Sequence, residues 1–299
     1  MIQLNNVTKR FSDMTALDHV TINIPKASIY GILGSNGAGK STLLKLIAGI
    51  YNIDGGSVQI DEKDAWNNIA MKDKMIFISD IPYFLPQYTV RQMANYYRHM
   101  YSGWSDEVFK QLSGIFKIDH DKVISRLSKG MQRQVAFWLA FSAQPDLLVL
   151  DEPMDGLDPV MRFQVRKMLI DNVANREMTV VIASHNLKEV EDMCDIVAVL
   201  HLSELLFERD LDDLRTDIHK LQIIFKEGIP KGLLEEIAPL HYEKRGRALI
   251  CIARGEQEKL LTAIEAHLPV VVDVLPLTLE EIFIHEMGDK GYAFENIID

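Results

Sequence analysis

Nine consecutive residues, Gly34-Ser35-Asn36-Gly37-Ala38-Gly39-Lys40-Ser41-Thr42, have the types and spacing of a loop that grips a chain of phosphates. Glycine permits backbone conformations that a Cβ forbids, so successive N–H groups can converge on one anion. Lys40 has the reach to meet the outer phosphates, and the Ser41 hydroxyl is a ligand for Mg²⁺. A helix from about Ser41 to Ile50 directs the positive end of its dipole at the same anion. A second reactive group closes the apolar run Leu147-Leu148-Val149-Leu150: the acids Asp151 and Glu152. A buried strand delivers such carboxylates to its C-terminal end, where open α/β sheets bind ligands. Asp151 can hold Mg²⁺ there through its water shell. Glu152 is placed to orient or deprotonate an attacking water, a contribution on the order of 10²–10⁴ in rate. The third group is Leu127-Ser128-Lys129-Gly130-Met131, ahead of the apolar run Val135–Phe141. Ser128 stands at a helix N-cap position, and a hydroxyl, a glycine and free N–H groups at a helix start make an anion site.

These residues need elements to hold them. Residues 2–8 and 20–24 alternate apolar and polar, as half-buried strands do. Ser28–Leu33 reads as a buried strand that feeds the phosphate loop. Gly55-Gly56 reads as a turn before a strand at Ser57–Ile60, and Ile76–Ser79 is a further short strand. From Val90 to about Phe116 the pattern is helical, with Met93, Tyr97 and Met100 on one face. Leu147–Leu150 and Thr179–Ala183 are continuous apolar runs, typical of central parallel strands covered on both faces. Val160–Val173 and Leu187–Met193 read as helices. Strands alternating with crossover helices up to about residue 210 imply an α/β core. Asp210–Lys220 is charge-rich and reads as a linker helix. Beyond it, strands at Leu221–Phe225, Leu249–Ala253 and Val270–Val274, with a helix at Leu260–His267, suggest a small α+β domain. The expected domains are therefore 1–214 and 215–299.

Bulk properties narrow the function classes. A net charge of -11 and a pI near 5.3 argue against a nucleic-acid binder, which carries a basic footprint. The two cysteines, Cys194 and Cys251, lie in separate segments without metal-ligand spacing, so no disulfide framework is expected and a reducing cytosol is the default. The N-terminal residues carry no basic-then-apolar targeting pattern. No uncharged apolar run approaches the ~18 residues of a membrane span. A membrane role is expected only through a partner.

Taken in order, these motifs resemble those of the ATPase subunit of an ABC (ATP-binding cassette) transporter over residues 1 to about 210. Leu127–Met131 resembles the family's signature motif, Gly156-Leu157-Asp158-Pro159 its D-loop, and Ser184-His185 the end of the strand that carries its switch histidine. Phe11, ahead of the Ala16-Leu17 pair, is similar to the aromatic that stacks on adenine. The resemblance implies a P-loop NTPase core with an antiparallel β subdomain and a helical signature subdomain, followed by the small C-terminal α+β domain. It implies ATP and Mg²⁺ as cofactors, Ser41, Asp80 and Asp151 around the metal, and Glu152 and His185 as catalytic. It also implies that Ser128 and Gly130 complete the ATP site of a neighbouring copy, and that Asp158 belongs to the nucleotide site. The partners implied are a transmembrane permease and a second ABC ATPase, as homodimer or heterodimer, at the cytoplasmic face of a bacterial membrane.

The chain departs from the family pattern twice. In the signature, Lys129 and Met131 replace the usual glycine and glutamine, while Ser128 and Gly130 remain. Such variants resemble those of drug and peptide exporters. At the Q-loop, the register set by Ile76–Ser79 and Thr89-Val90 puts Asp80 where the family places glutamine, with Gln87 the other candidate. The apolar stretch Ile81–Tyr88 lies where family members receive a coupling helix of the permease. The expected function is ATP binding and hydrolysis that powers an exporter of a peptide, antibiotic or lipid-like substrate. The alternative is a soluble or regulatory ABC ATPase without a transport role. The ending Leu277–Phe283 is similar to a segment of exporter-type ATPases and reads as a short amphipathic helix.

Overall fold

The computed structural model describes residues 1–282 apart from Asn67. Packing divides the chain into two units, Met1–Glu208 and a second that begins at Arg209, where the sequence patterns had suggested a division after 214. The first unit opens with β1 (Ile2–Phe11), β2 (Met14–Ile24), β3 (Ile29–Leu33) and α1 (Lys40–Ile47). Next come β4 (Gly55–Ile60), β5 (Lys63–Asp64), α2 (Ile69–Lys72) and β6 (Met75–Ile78). A helical region follows, α3 (Val90–Met100), α4 (Asp106–Phe116) and α5 (Lys129–Ser142). The unit closes with β7 (Leu147–Asp151), α6 (Pro159–Arg176), β8 (Thr179–Ser184), α7 (Leu187–Glu191), β9 (Ile196–His201) and β10 (Glu204–Asp210).

The central sheet has the order β10-β9-β3-β8-β7-β6, with β9, β3, β8, β7 and β6 mutually parallel. Every residue of β3, β7 and β8 is buried, which is why these strands are written as unbroken apolar runs. Their register aligns the C-terminal ends: Leu33 pairs with Ser184, and Asp151 with Ala183. The loops that follow these strands therefore leave the sheet side by side, at the edge where such sheets bind ligands. A second sheet, β2-β1-β4-β5, is antiparallel in its pairings and shares one apolar core with α1 and the central sheet. The fold is thus an α/β core carrying an antiparallel β subdomain and a helical subdomain, the architecture that the resemblance implies.

Three local expectations are corrected. Gly55-Gly56 is not a free turn but the start of β4, since Gly55 pairs with Thr8 of β1. The helix expected through Phe116 is broken between α3 and α4. Tyr101 is extended, the Ser102 backbone N–H donates to the Asp73 carboxylate at 2.9 Å, and Ser105 caps α4 by accepting from the Val108 N–H. Finally, α1 stops at Ile47, short of Ile50, with Ala48 as its C-cap.

The second unit contains α8 (Leu211–Asp217), β11 (Ile218–Ile224), α9 (Leu233–Ile237), β12 (His241–Arg245), β13 (Ala248–Arg254), α10 (Gln257–Glu265) and β14 (Val271–Leu275). Its sheet, β12-β13-β11-β14, is antiparallel throughout. Leu221, Ile223, Leu249, Cys251 and Ala253 form one apolar face that packs with Leu233 and Ile237 of α9 and Leu260 and Ile264 of α10. The linker helix is shorter than expected, because Ile218 and His219 already pair with Arg254 and Ala253 of β13. Residues 279–282 are helical, with Leu279 and Ile282 buried and the Lys220 ammonium 2.5 Å from a Glu281 oxygen. Phe283, the last residue of the segment expected to be an amphipathic helix, lies outside the described residues. Among the described residues, no helix is long and apolar enough to cross a membrane.

Candidate active site

At the C-terminal edge of the central sheet, a cleft of about 300 Å³ is lined by the phosphate-loop residues Ser35, Asn36, Gly37, Gly39, Lys40, Ser41 and Thr42, by Asp80, Asp151 and Glu152, and by Met14, Thr15 and Ala16 of β2. The loop leaves β3 at Gly34 and ends on α1, whose N-cap is Gly39 with φ 104°. A Cβ at Gly39 would sit 2.4 Å from the Ala16 carbonyl oxygen, so only glycine lets the loop close against β2. No side chain caps α1, which leaves its first N–H groups available to an anion in the cleft. Ala38 is buried beneath the loop, in the core shared with α1. Gly34 packs against the backbone of Leu200 in β9.

Lys40 is buried, and its ammonium donates to the carbonyls of Gly34 at 2.6 Å and Ser35 at 3.2 Å. It also lies 3.8 Å from Glu152 Oε1. Burial lowers its pKa, and Glu152 and Asp151 oppose that shift. Asp151 is the end of β7 and is 4% exposed. Burial raises its carboxyl pKa, against a hydrogen bond with Ser41 that lowers it. Its Oδ1 is buried with no hydrogen-bond partner. An orphaned carboxylate oxygen beside a serine hydroxyl is the donor set that a hard divalent cation completes, so these residues fit Mg²⁺.

Glu152 sits one residue beyond β7 with φ 45°, a left-handed conformation costly for a residue with a side chain, on the order of 1–3 kcal/mol. Two backbone contacts hold it there: its N–H donates to the Ala183 carbonyl at 2.9 Å, and its carbonyl accepts from the Arg133 guanidinium. Its carboxylate meets His185 twice. Oε2 lies 2.9 Å from Nδ1 and 3.3 Å from the backbone N–H. His185 follows β8, so adjacent strands bring Glu152, which lines the cleft, and an imidazole together. Asp155 joins them in a cluster whose ligand atoms lie within 4.8 Å of one another.

The other sequence candidates occupy separate positions. Asp80 lines the cleft, whereas Gln87 is exposed, with φ 62°, and does not line it. The Asp80 carboxylate is 3.1 Å from the Arg133 guanidinium, an ion pair that competes with a role on the metal. Phe11 is 37% exposed, edge-on to Tyr51 at 5.3 Å and beneath the Lys9 ammonium at 5.2 Å; Met14, its partner across the β1–β2 turn, lines the cleft. Ser128 caps α5 by accepting from the Met131 N–H at 3.2 Å, and neither Ser128 nor Gly130 lines the cleft of its own chain. A Cβ on Gly130 would sit 2.3 Å from the Gly156 carbonyl oxygen, so the two turns touch through backbone alone. Asp158 caps α6, accepting from the Met161 N–H at 3.0 Å.

Sequence reasoning missed Arg133, Met14 and Thr15. Arg133 stands next to the apolar run Val135–Phe141 of its helix, and nothing in that placement points to acceptors 19 and 53 residues away. Met14 and Thr15 carry no chemical signature and line the cleft through the hairpin that returns from Phe11.

Residues 17–155 match the family model described as ABC transporter. The chain is 31% identical over 290 residues to the ABC transporter ATP-binding protein YtrB of Bacillus subtilis, covering 97% of this chain and 99% of that protein. It is 28% identical to the bacitracin transport ATP-binding protein BcrA of Bacillus licheniformis, with 94% of each covered. Among solved structures, a dimeric ATP-binding cassette in a post-hydrolysis state with ADP and Pi aligns with a TM-score of 0.64, at 23% identity over 71% of this chain and 99% of that one.

Proposed function

This chain belongs to the ABC transporter family as an ATP-binding and ATP-hydrolysing subunit, and we propose that it powers the export of a peptide, antibiotic or lipid-like molecule. The bacitracin transport protein among its relatives supports that substrate class. The observation that carries the catalytic reading is the Glu152 carboxylate, bonded to His185 and lining the same cleft as the phosphate loop.

The residues divide the work as follows. Backbone N–H groups from Gly34 to Thr42 and the start of α1 bind the phosphates of ATP, and the Lys40 ammonium exchanges its loop carbonyls for phosphate oxygens. Phe11 and Met14 supply apolar surface for the adenine. Ser41 and Asp151 would hold Mg²⁺, which would supply positive charge against the phosphates. Glu152 accepts a proton from the attacking water, and His185 keeps that carboxylate and the γ-phosphate in register. Removing the γ-phosphate lowers the affinity between two ATP-bound cassettes. That differential is what ATP can transmit to a membrane partner.

Ser128 and Gly130 do not line their own cleft, which favours a role in closing the site of a second ATPase, as homodimer or heterodimer, with Asp158 following the Gly156 turn that Gly130 abuts. The dimeric cassette among the fold relatives agrees with this arrangement. The partner in the membrane is a permease, and the chain sits at its cytoplasmic face without touching nucleic acid. We further assign the unit Met1–Glu208 to the ATPase domain and the unit that begins at Arg209 to an accessory domain that supports the dimer. None of these observations favours the alternative of a soluble or regulatory ATPase. The test is ATPase activity of the chain purified with its permease in vesicles. Mg²⁺-dependent turnover that Lys40→Ala abolishes, with outward movement of a labelled peptide antibiotic, is expected. Turnover without Mg²⁺ or inward movement would refute the reading.

A further inference from the structure

Arg133 is a charged residue in the second turn of α5, yet its side chain is only 6% exposed. Its guanidinium reaches outward from the helix into two loops. One Nη donates to the carbonyl of Glu152, and the other donates to the carbonyl of Asp80 and to Asp80 Oδ1, the last at 3.1 Å. Three elements of the site meet on this one group: the helix whose first turn carries Ser128 and Gly130, the residue after β7 that holds the base, and the loop after β6.

The chemistry suits a rigid joint. A guanidinium does not deprotonate, and its planar fork holds two acceptors at a fixed angle. A lysine in the same place would keep the charge and lose the fork. The Glu152 backbone also needs a restraint, because its φ of 45° belongs to the left-handed region. Adjacent to it, the loop after β6 exposes Ile81 and Tyr83, so a force applied there acts directly on Asp80.

We propose that Arg133 is a positioning residue that fixes Glu152 over the cleft and, through Asp80, ties the base to the exposed loop after β6. This rests on Glu152 acting as the base. Phosphate binding does not involve Arg133, which does not line the cleft, so the effect falls on turnover and leaves ATP affinity alone.

The test compares Arg133→Gln, Arg133→Lys, Asp80→Asn and the Arg133→Gln/Asp80→Asn pair in the full chain assembled with its permease. A misplaced base predicts a loss of roughly 10- to 100-fold in kcat for Arg133→Gln, with KM for ATP within about twofold. Arg133→Lys, which keeps the buried charge, is expected to fold and to lose kcat by a smaller factor. The double variant is expected to be no slower than Arg133→Gln alone, since the two residues act as one unit. Unchanged kcat in both Arg133 variants, a KM that rises in step with the fall in kcat, or losses that multiply in the double variant would each overturn the proposal. If Arg133→Gln does not fold, Arg133→Lys decides by the same split. Absence of Lys40-dependent turnover in the wild type would instead overturn the functional reading itself.

Discussion

Replacing Asp151 with asparagine tests the metal site without altering its shape. In the folded chain one carboxylate oxygen is buried with no partner, and the residue is 4% exposed. A buried acceptor left in that state costs about 1–3 kcal/mol, and more when it is charged. The amide is neutral and nearly isosteric, so without a cation Asp151→Asn should recover about 1–2 kcal/mol of that cost. For a unit of 208 residues, each kcal/mol moves Tm by roughly 2–4 °C, which predicts a rise of about 2–8 °C in EDTA. With Mg²⁺ and ATP the order should reverse, because a ligand at 100 times its Kd stabilises the wild type by about 2.7 kcal/mol and the variant lacks the carboxylate proposed to hold the metal. The pH dependence has a definite sign. Burial raises the Asp151 pKa above its ordinary value of 3.8. Between the unfolded and folded values the native chain holds a proton that the unfolded chain has released, so stability without metal falls as pH rises through that window. The penalty is complete above the folded value, and Asp151→Asn should remove this slope. Thermal melts by circular dichroism, in EDTA and in Mg²⁺-ATP across pH, report all three effects. A variant less stable than the wild type in EDTA would refute the argument that Asp151 stands unsatisfied until a cation arrives.

Two further outcomes follow from particular contacts. Gly130→Ala forces a methyl against the Gly156 carbonyl, whose oxygen would lie at 2.3 Å; a cost of about 1–3 kcal/mol in denaturant unfolding is expected, with ATPase activity of the assembled transporter lost. Unaltered stability would show that the two turns separate freely. Phe11→Ala should weaken ATP binding by about 1–3 kcal/mol, read as a higher Kd in calorimetry. A Kd within twofold of wild type would remove Phe11 from the nucleotide site.

The parts of the fold that carry the site were legible because burial leaves a pattern. β3, β7 and β8 are covered on both faces, and their apolar runs announce the strands. The phosphate loop is written in residue types that serve no other purpose so well. The break between α3 and α4 was hidden, because the apolar period runs on through it while the chain turns for the contact between Asp73 and Ser102, residues 29 apart. β12 is exposed at every position, so it shows no alternation. Gly55-Gly56 has the composition of a turn and is claimed by pairing with Thr8. Arg133 meets acceptors 19 and 53 residues away, distances at which spacing along the chain carries no information.

The most direct measurement is the oligomeric state and nucleotide content of Glu152→Gln with Mg²⁺-ATP, by light scattering coupled to gel filtration. If Glu152 withdraws the proton from water in a site that two cassettes close together, the variant forms a stable dimer retaining intact ATP and shows no turnover. A variant that remains monomeric and hydrolyses ATP at the wild-type rate would contradict that role.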